Sequence, residues 1–247
     1  MTRRLLLGAG VAAALLVQQG WAAEPPAPAC DLPADLLTPA PKLAGIRQWL
    51  RPGARLEVLA LGSGSLLGLR GGVEGSVPFY MVEAMRAAAP GAVIRLTLHG
   101  ARAATAAEML VALRKELAAH PYQLVLWQTG TAEALRNTPA ADFARTLADG
   151  AAAVAAAGAA LVLVDVPFSR LLEARSDLAP YRSAMDRIAS QSEAVLFRRY
   201  ELMHRWADTG DIDLEAAGKH ERHGTADRLR ACLGQALAEL VLADRGS

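Results

Sequence analysis

The stretch "RLEVLALGSGSLLG", Arg55–Gly68, begins as an apolar run and breaks abruptly into glycines and serines. An apolar run without clean alternation reads as a strand buried on both faces, and the Gly/Ser break reads as the tight turn that follows it. The turn raises a chemical question. Ser63 or Ser65 is either a nucleophile presented at a strand end or a small turn residue capping the next helix.

Working outward, "VPFYMVEAMRAAAPG" reads as a helix stopped by Pro90 and Gly91, and "AVIRLTL" as a second strand. Ala106, Met109, Leu110, Leu113 and Leu117 recur at helical spacing, "YQLVLWQ" is a strand, and "ADFARTLADGAAAVAAAG" is a tightly packed alanine-rich helix. "ALVLVDV" is a nearly continuous apolar strand, "AVLFRRY" supplies a fifth, and a last helix runs from about Thr225 to Leu242. Apolar strands alternating with helices predict a mostly parallel sheet covered on both faces, a three-layer α/β/α sandwich. In such sheets function gathers at the carboxyl ends of the strands, which selects Gly62–Gly68, His99–Ala103, Gln128–Ala132 and Asp165–Ser169.

These strand-end segments, in this order, resemble the SGNH (GDSL-type) hydrolases. "VLALGSGSLLG" resembles the family's first block, "SVPFYMVEAMRAAAPGAVIRLTLHGARAATAAEML" its second, "LVLWQTGTAEALR" its third, and "LVLVDVPFS" the strand that follows. "AAGKHERHGTADRLRACLGQALA" stands in the place of the final Asp-x-x-His block. The resemblance implies a flavodoxin-like, five-stranded sheet over about residues 54–243 and an esterase-type ancestry. It also implies a nucleophile, a base, an acid and oxyanion donors at fixed places. At those places the chain departs from the pattern: Gly64 falls at the nucleophile, Ala103 at an oxyanion glycine, Ala132 at an amide side chain and Ala217 at the acid, leaving His220. A backbone amide at Ala103 can still serve, whereas a glycine cannot attack a carbonyl and an alanine cannot orient an imidazole.

Two functional readings stay open. In the first, a one-residue slip makes Ser65 the nucleophile and His220 its base in an exported hydrolase acting on an ester-bearing small molecule or an acylated envelope glycan. In the second, the chain is a pseudo-hydrolase that holds such a ligand or a partner without turning it over. No cofactor is expected in either. His220 and His223 are three apart with no partner cluster, so no metal site is expected. Asp165 either orients a base or binds a loop amide, Trp127 and Gln128 read as core and ladder-end residues, and His99 as a turn residue. Arg198, Arg199, His204 and Arg205 read as a charged helix face.

With 26 basic and 25 acidic residues in 247, and no basic block interleaved with aromatics, nucleic acid is not an expected partner. Residues 1–22 carry Arg3 and Arg4, a short apolar run and small residues, the pattern of a signal peptide. The arginine pair resembles a twin-arginine export signal. Residues 23–53 form a Pro-rich lead. The expected location is periplasmic or secreted, with no stable membrane span after cleavage. Cys30 and Cys232, the two cysteines, are expected to pair in an oxidising compartment; the alternative is two separate thiols.

Overall fold

The computed structural model describes residues 30–37, 41–64, 66–68 and 71–243. The expected signal peptide and its cleavage site lie outside the described residues, as does Ser65. Five strands form one sheet: β1 (Arg55–Gly62), β2 (Val93–Gly100), β3 (Leu124–Gln128), β4 (Ala160–Val164) and β5 (Val195–Phe197). Every pairing is parallel, in the order β2-β1-β3-β4-β5. This is the flavodoxin-like order, whose direction of winding reverses between β1 and β3 and leaves a crevice at the carboxyl ends.

Successive residues of a strand face opposite sides, so each strand feeds two cores. Leu56, Val58 and Ala60 of β1, Leu124 and Leu126 of β3, and Val162 and Val164 of β4 enter one apolar cluster. That cluster is completed by α1 (Val77–Ala88), α7 (Arg199–Thr209), α8 (Arg222–Leu242) and a 3-10 helix at Pro41–Leu50. Leu59 and Leu61, Val125 and Trp127, and Leu161 and Leu163 enter the other, under α2 (Ala106–Ala119), α4 (Ala140–Ala156) and α6 (Ala179–Gln191). Two shorter helices, α3 (Thr131–Arg136) and α5 (Arg170–Glu173), begin at strand ends. The three-layer sandwich expected from the apolar runs is therefore formed.

The missing side chain at Gly150 of α4 has a packing cause. A Cβ at Gly150 would stand 2.0 Å from the Trp127 ring, so the helix reaches the sheet only where its contact residue has no side chain. Beyond the alternation read from the sequence, α6 presents Tyr181, Ala184, Met185 and Ile188 inward, a stripe at helical spacing.

Cys30 and Cys232 form a disulfide that fastens the N-terminal lead to α8. The Trp206 indole donates to the Asp31 carbonyl at 2.7 Å, and Arg205 grips the Asp35 carboxylate through two nitrogens at 2.8 and 2.7 Å. Among the described residues no helix is long and apolar enough to cross a membrane.

Candidate functional site

β1 ends at Gly62, and the chain turns at once: Leu66 N–H donates to the Ser63 carbonyl at 3.0 Å, and Leu66 is buried beneath the turn. The Ser63 hydroxyl accepts a hydrogen bond from Gln128 Nε2 at 2.9 Å, tying the first turn to the end of β3. Gly64 is exposed, and among the described residues a Cβ there would meet nothing nearer than Arg102, whose Cα and Cγ lie at 3.9 Å. The position thus has room for a side chain and carries none. The following helix is capped by Ser76, whose side chain accepts from Phe79 N–H at 3.1 Å.

The second and third strand ends are locked together. Ala103 adopts φ 56°, the left-handed region that a glycine takes freely and an alanine takes at a cost of about 1–2 kcal/mol. Its carbonyl accepts from Arg136 Nη2 at 2.9 Å. Gly130 has φ 97°, and a Cβ on it would stand 2.9 Å from Val166. Ala132 follows in the first turn of α3 and is buried. Beside it the buried carboxylate of Glu133 accepts from the backbone N–H of Ala106 and, at 3.0 Å, from that of Gly130. One side chain therefore bridges the starts of α2 and α3. Glu133 was not singled out in the sequence, where nothing local marks a helix glutamate as buried.

Just beyond β4, Asp165 accepts from Val166 N–H at 2.8 Å and from Arg182 Nε at 3.2 Å. Burial pushes its carboxyl up to about 6, against the opposing pull of the Arg182 charge and the Val166 N–H. Arg182 also pairs with Glu201 and lies over the Tyr200 ring at 3.8 Å. Arg199, which opens α7, is 5% exposed. Burial lowers its guanidinium to about 10, partly offset by the charge of Asp165, so it stays cationic near neutrality.

These elements enclose a cavity of about 490 Å³ at the carboxyl ends of the strands. Gly64, Leu67 and Gly68 form one side, Arg102 another, Phe168 and Ser169 a third; Arg199, Met203, Leu229, Arg230 and Leu233 from α7 and α8 close it. No histidine, aspartate or glutamate lines it among the described residues. The Ser169 hydroxyl is engaged with Glu215 at 2.6 Å.

The residues read from the sequence are dispersed around this cavity. Gly64 lies on it, whereas Ala103, Ala132, Ala217 and His220 are absent from its lining. Ala217 lines a separate concavity with Gly210, Asp211 and Asp213, and its carbonyl accepts from Arg222 Nε at 3.3 Å. His220 is exposed in the turn before α8. His99 Nε2 lies 3.0 Å from Glu116 Oε1, Arg198 pairs with Asp186 at 2.9 Å, and His204 with Asp208 at 3.2 Å. Of that basic cluster, Arg199 alone turns inward. Arg102, within the strand-end segment His99–Ala103 selected from the sequence, lines the cavity, as does Arg230, which lies outside those segments. For Arg230 a signal exists: it interrupts the otherwise apolar Ala226, Leu229, Leu233 stripe of α8. Among the described residues no group of three or more His, Cys, Asp or Glu is arranged to hold a metal ion.

The model of the Non-GDSL lipase-like family matches residues 29–245. Comparison with curated proteins returned no match. Among solved structures, TesA aligns at 20% identity and TM-score 0.56 over 74% of this chain and 99% of its own. A lipolytic protein of the G-D-S-L family from Desulfitobacterium hafniense, itself described as putative, aligns at 15% identity and TM-score 0.58, over 74% and 98%. A catalytic mutant of an acetylxylan esterase from Geobacillus stearothermophilus aligns at 15% identity and TM-score 0.61, over 77% and 94%. At these identities the likeness is one of fold.

Proposed function

The chain belongs to the Non-GDSL lipase-like family, within the SGNH/GDSL-type superfamily, and from that membership we propose that it is an exported protein that holds a ligand at its strand ends without hydrolysing it. The ligand class is an ester-bearing small molecule or an acylated envelope glycan.

The observation that carries the reading is the side-chain chemistry of the strand-end cavity. The first turn offers Gly64 where the resemblance places a nucleophile, the Ser63 hydroxyl is held by Gln128, and no histidine lines the cavity among the described residues. His220 and Ala217 sit in the turn before α8, outside that lining. Nucleophile, base and orienting acid act as a unit, so removing one forfeits most of what the others contribute. The disulfide supports export, because such bonds persist in oxidising compartments.

The test is hydrolysis of p-nitrophenyl acetate by the purified chain beside Ser63→Ala, Ser65→Ala and His220→Ala. All four are expected at the buffer rate. Turnover that disappears in Ser65→Ala and in His220→Ala would establish a serine–histidine dyad and replace this reading with a hydrolase.

A further inference from the structure

The sheet order leaves β2 at one margin, with β1 on its inner side and no strand on its outer side among the described residues. The hydrogen bonds at its two ends show which backbone groups face outward. Val93 N–H donates to the Ala54 carbonyl and Ala101 N–H to the Gly62 carbonyl, so the odd-numbered residues bond to β1. The even-numbered ones, Ile94, Leu96, Leu98 and Gly100, therefore point N–H and C=O away from the sheet. The Ile94 carbonyl accepts from the Arg86 guanidinium, whereas the outward groups of Leu96 and Leu98 meet no partner among the described residues. β2 runs for eight residues in unbroken register with β1 and contains no proline. An edge of that kind is a template for another strand unless something covers it.

The side chains indicate which strand fits. On the α1 side Leu96 and Leu98 are half-buried and apolar. On the opposite face Arg95 is exposed and 4.0 Å from Glu57, Thr97 follows, and His99 Nε2 lies 3.0 Å from the Glu116 carboxylate. A cation thus stands near one end of the run and a carboxylate near the other, a pattern that its own reversed copy matches. We infer that β2 pairs antiparallel with β2 of a second copy of this chain, about a two-fold axis opposite Thr97, joining the two sheets into one. Leu96 then faces Leu98 of the partner subunit, the pair exchanging both N–H···O bonds and covering each other's apolar surface. Arg95 faces His99 of the partner subunit and comes beside the carboxylate of Glu116 of the partner subunit. The two-fold axis repeats each of these contacts.

The test is sedimentation equilibrium of the purified chain up to about 100 μM, where a micromolar contact is mostly formed. Amide hydrogen exchange at Leu96 and Leu98 is read at high and low concentration in parallel. A mass twice that of the chain is expected, with exchange at those two amides slower at the higher concentration. Arg95→Glu sets like charges against each other across the axis and should weaken the dimer at least about tenfold, while Arg95→Lys should keep most of the affinity. Arg95 is exposed, so both variants are expected to fold, which circular dichroism and melting temperature check. A single-chain mass throughout the range overturns the inference. So does a dimer whose Leu96 and Leu98 amides exchange as fast as in the monomer, which would place the contact on another face, or one that Arg95→Glu leaves unchanged.

Discussion

Replacing Asp165 with asparagine should change how stability depends on pH, and in a direction opposite to that set by Glu108 and Asp35. In the folded chain burial raises the Asp165 carboxyl from 3.8 to about 6, and the Arg182 guanidinium offsets only part of that rise. The difference corresponds to about 3 kcal/mol. Because the folded-state value is raised, the native state holds this proton more tightly than the unfolded chain does. The contribution of the protonated form is therefore fully present below about pH 4 and is lost as pH rises through about 6. Between pH 4 and pH 7 the ionising carboxyl should remove about 2.5 kcal/mol. Charged or titrating groups around it are Arg182, Glu201 and Arg199, with the Val166 N–H as the remaining partner.

Other carboxylates run the other way. Glu108 is held below its ordinary value chiefly by the Thr105 backbone N–H, and Asp35 by Arg205, so their contributions grow as pH rises from acid. Wild type alone would mix the two signs. The informative quantity is the difference in unfolding free energy between wild type and Asp165→Asn, from urea denaturation at about pH 4, 5, 6 and 7. At pH 4 the folded-state carboxyl is protonated, so asparagine exchanges one neutral group for another; it disturbs only the hydrogen bonds with Val166 N–H and Arg182 Nε and is expected to be slightly the less stable chain there. The gap should then close and reverse, a change of about 2.5 kcal/mol, by pH 7. A gap that is flat, or that widens as pH rises, would mean that the native site favours the ionised carboxylate, and the desolvation argument would fail.

Three further outcomes follow from the same geometry. Gly64→Ser has open space and no left-handed backbone to strain, so it should fold with stability equal to wild type or about 0.4–1 kcal/mol above it, and its p-nitrophenyl acetate rate should stay at background; turnover would show that a base reaches this turn. Glu133→Ala strands the backbone donors of Ala106 and Gly130 and should cost about 3 kcal/mol, seen as a fall of roughly 6–12 °C in Tm, with Glu133→Gln intermediate; an unchanged Tm would contradict the bridge. Cys30→Ser with Cys232→Ser opens a loop of 202 residues, for which loop-closure entropy gives up to about 5 kcal/mol in urea unfolding; a loss under about 1 kcal/mol would show that the unfolded chain already keeps its ends together.

How far the molecule was legible depends on the range of the force involved. β1 spans Arg55–Gly62, the run read from the sequence, because burial on both faces makes Val58–Leu61 continuously apolar, with Arg55 and Glu57 only at its less buried start. Pro90 and Gly91 lie beyond α1 as the helix-stop residues they were read to be, and the cysteines pair. The helix α6 carried a readable stripe but sits between charged residues that dilute it. The cavity was less legible. Arg199 looks like one more cation in a charged segment, and only the tertiary placement of the start of α7 buries it. Arg102, Arg199 and Arg230, which line it, are separated in sequence by most of the domain, so no window of residues contains all three.

The strand ends also show why backbone and chemistry can part company in this fold. Ala103 holds a left-handed conformation that alanine resists, and Gly130 holds one that only glycine adopts easily. Neither needs a catalytic side chain to persist, because Glu133 ties the segments that follow them and both cores pack beneath. The turn geometry is thus fixed by packing and backbone hydrogen bonds, while reactivity depends on a few side chains that those forces leave unconstrained.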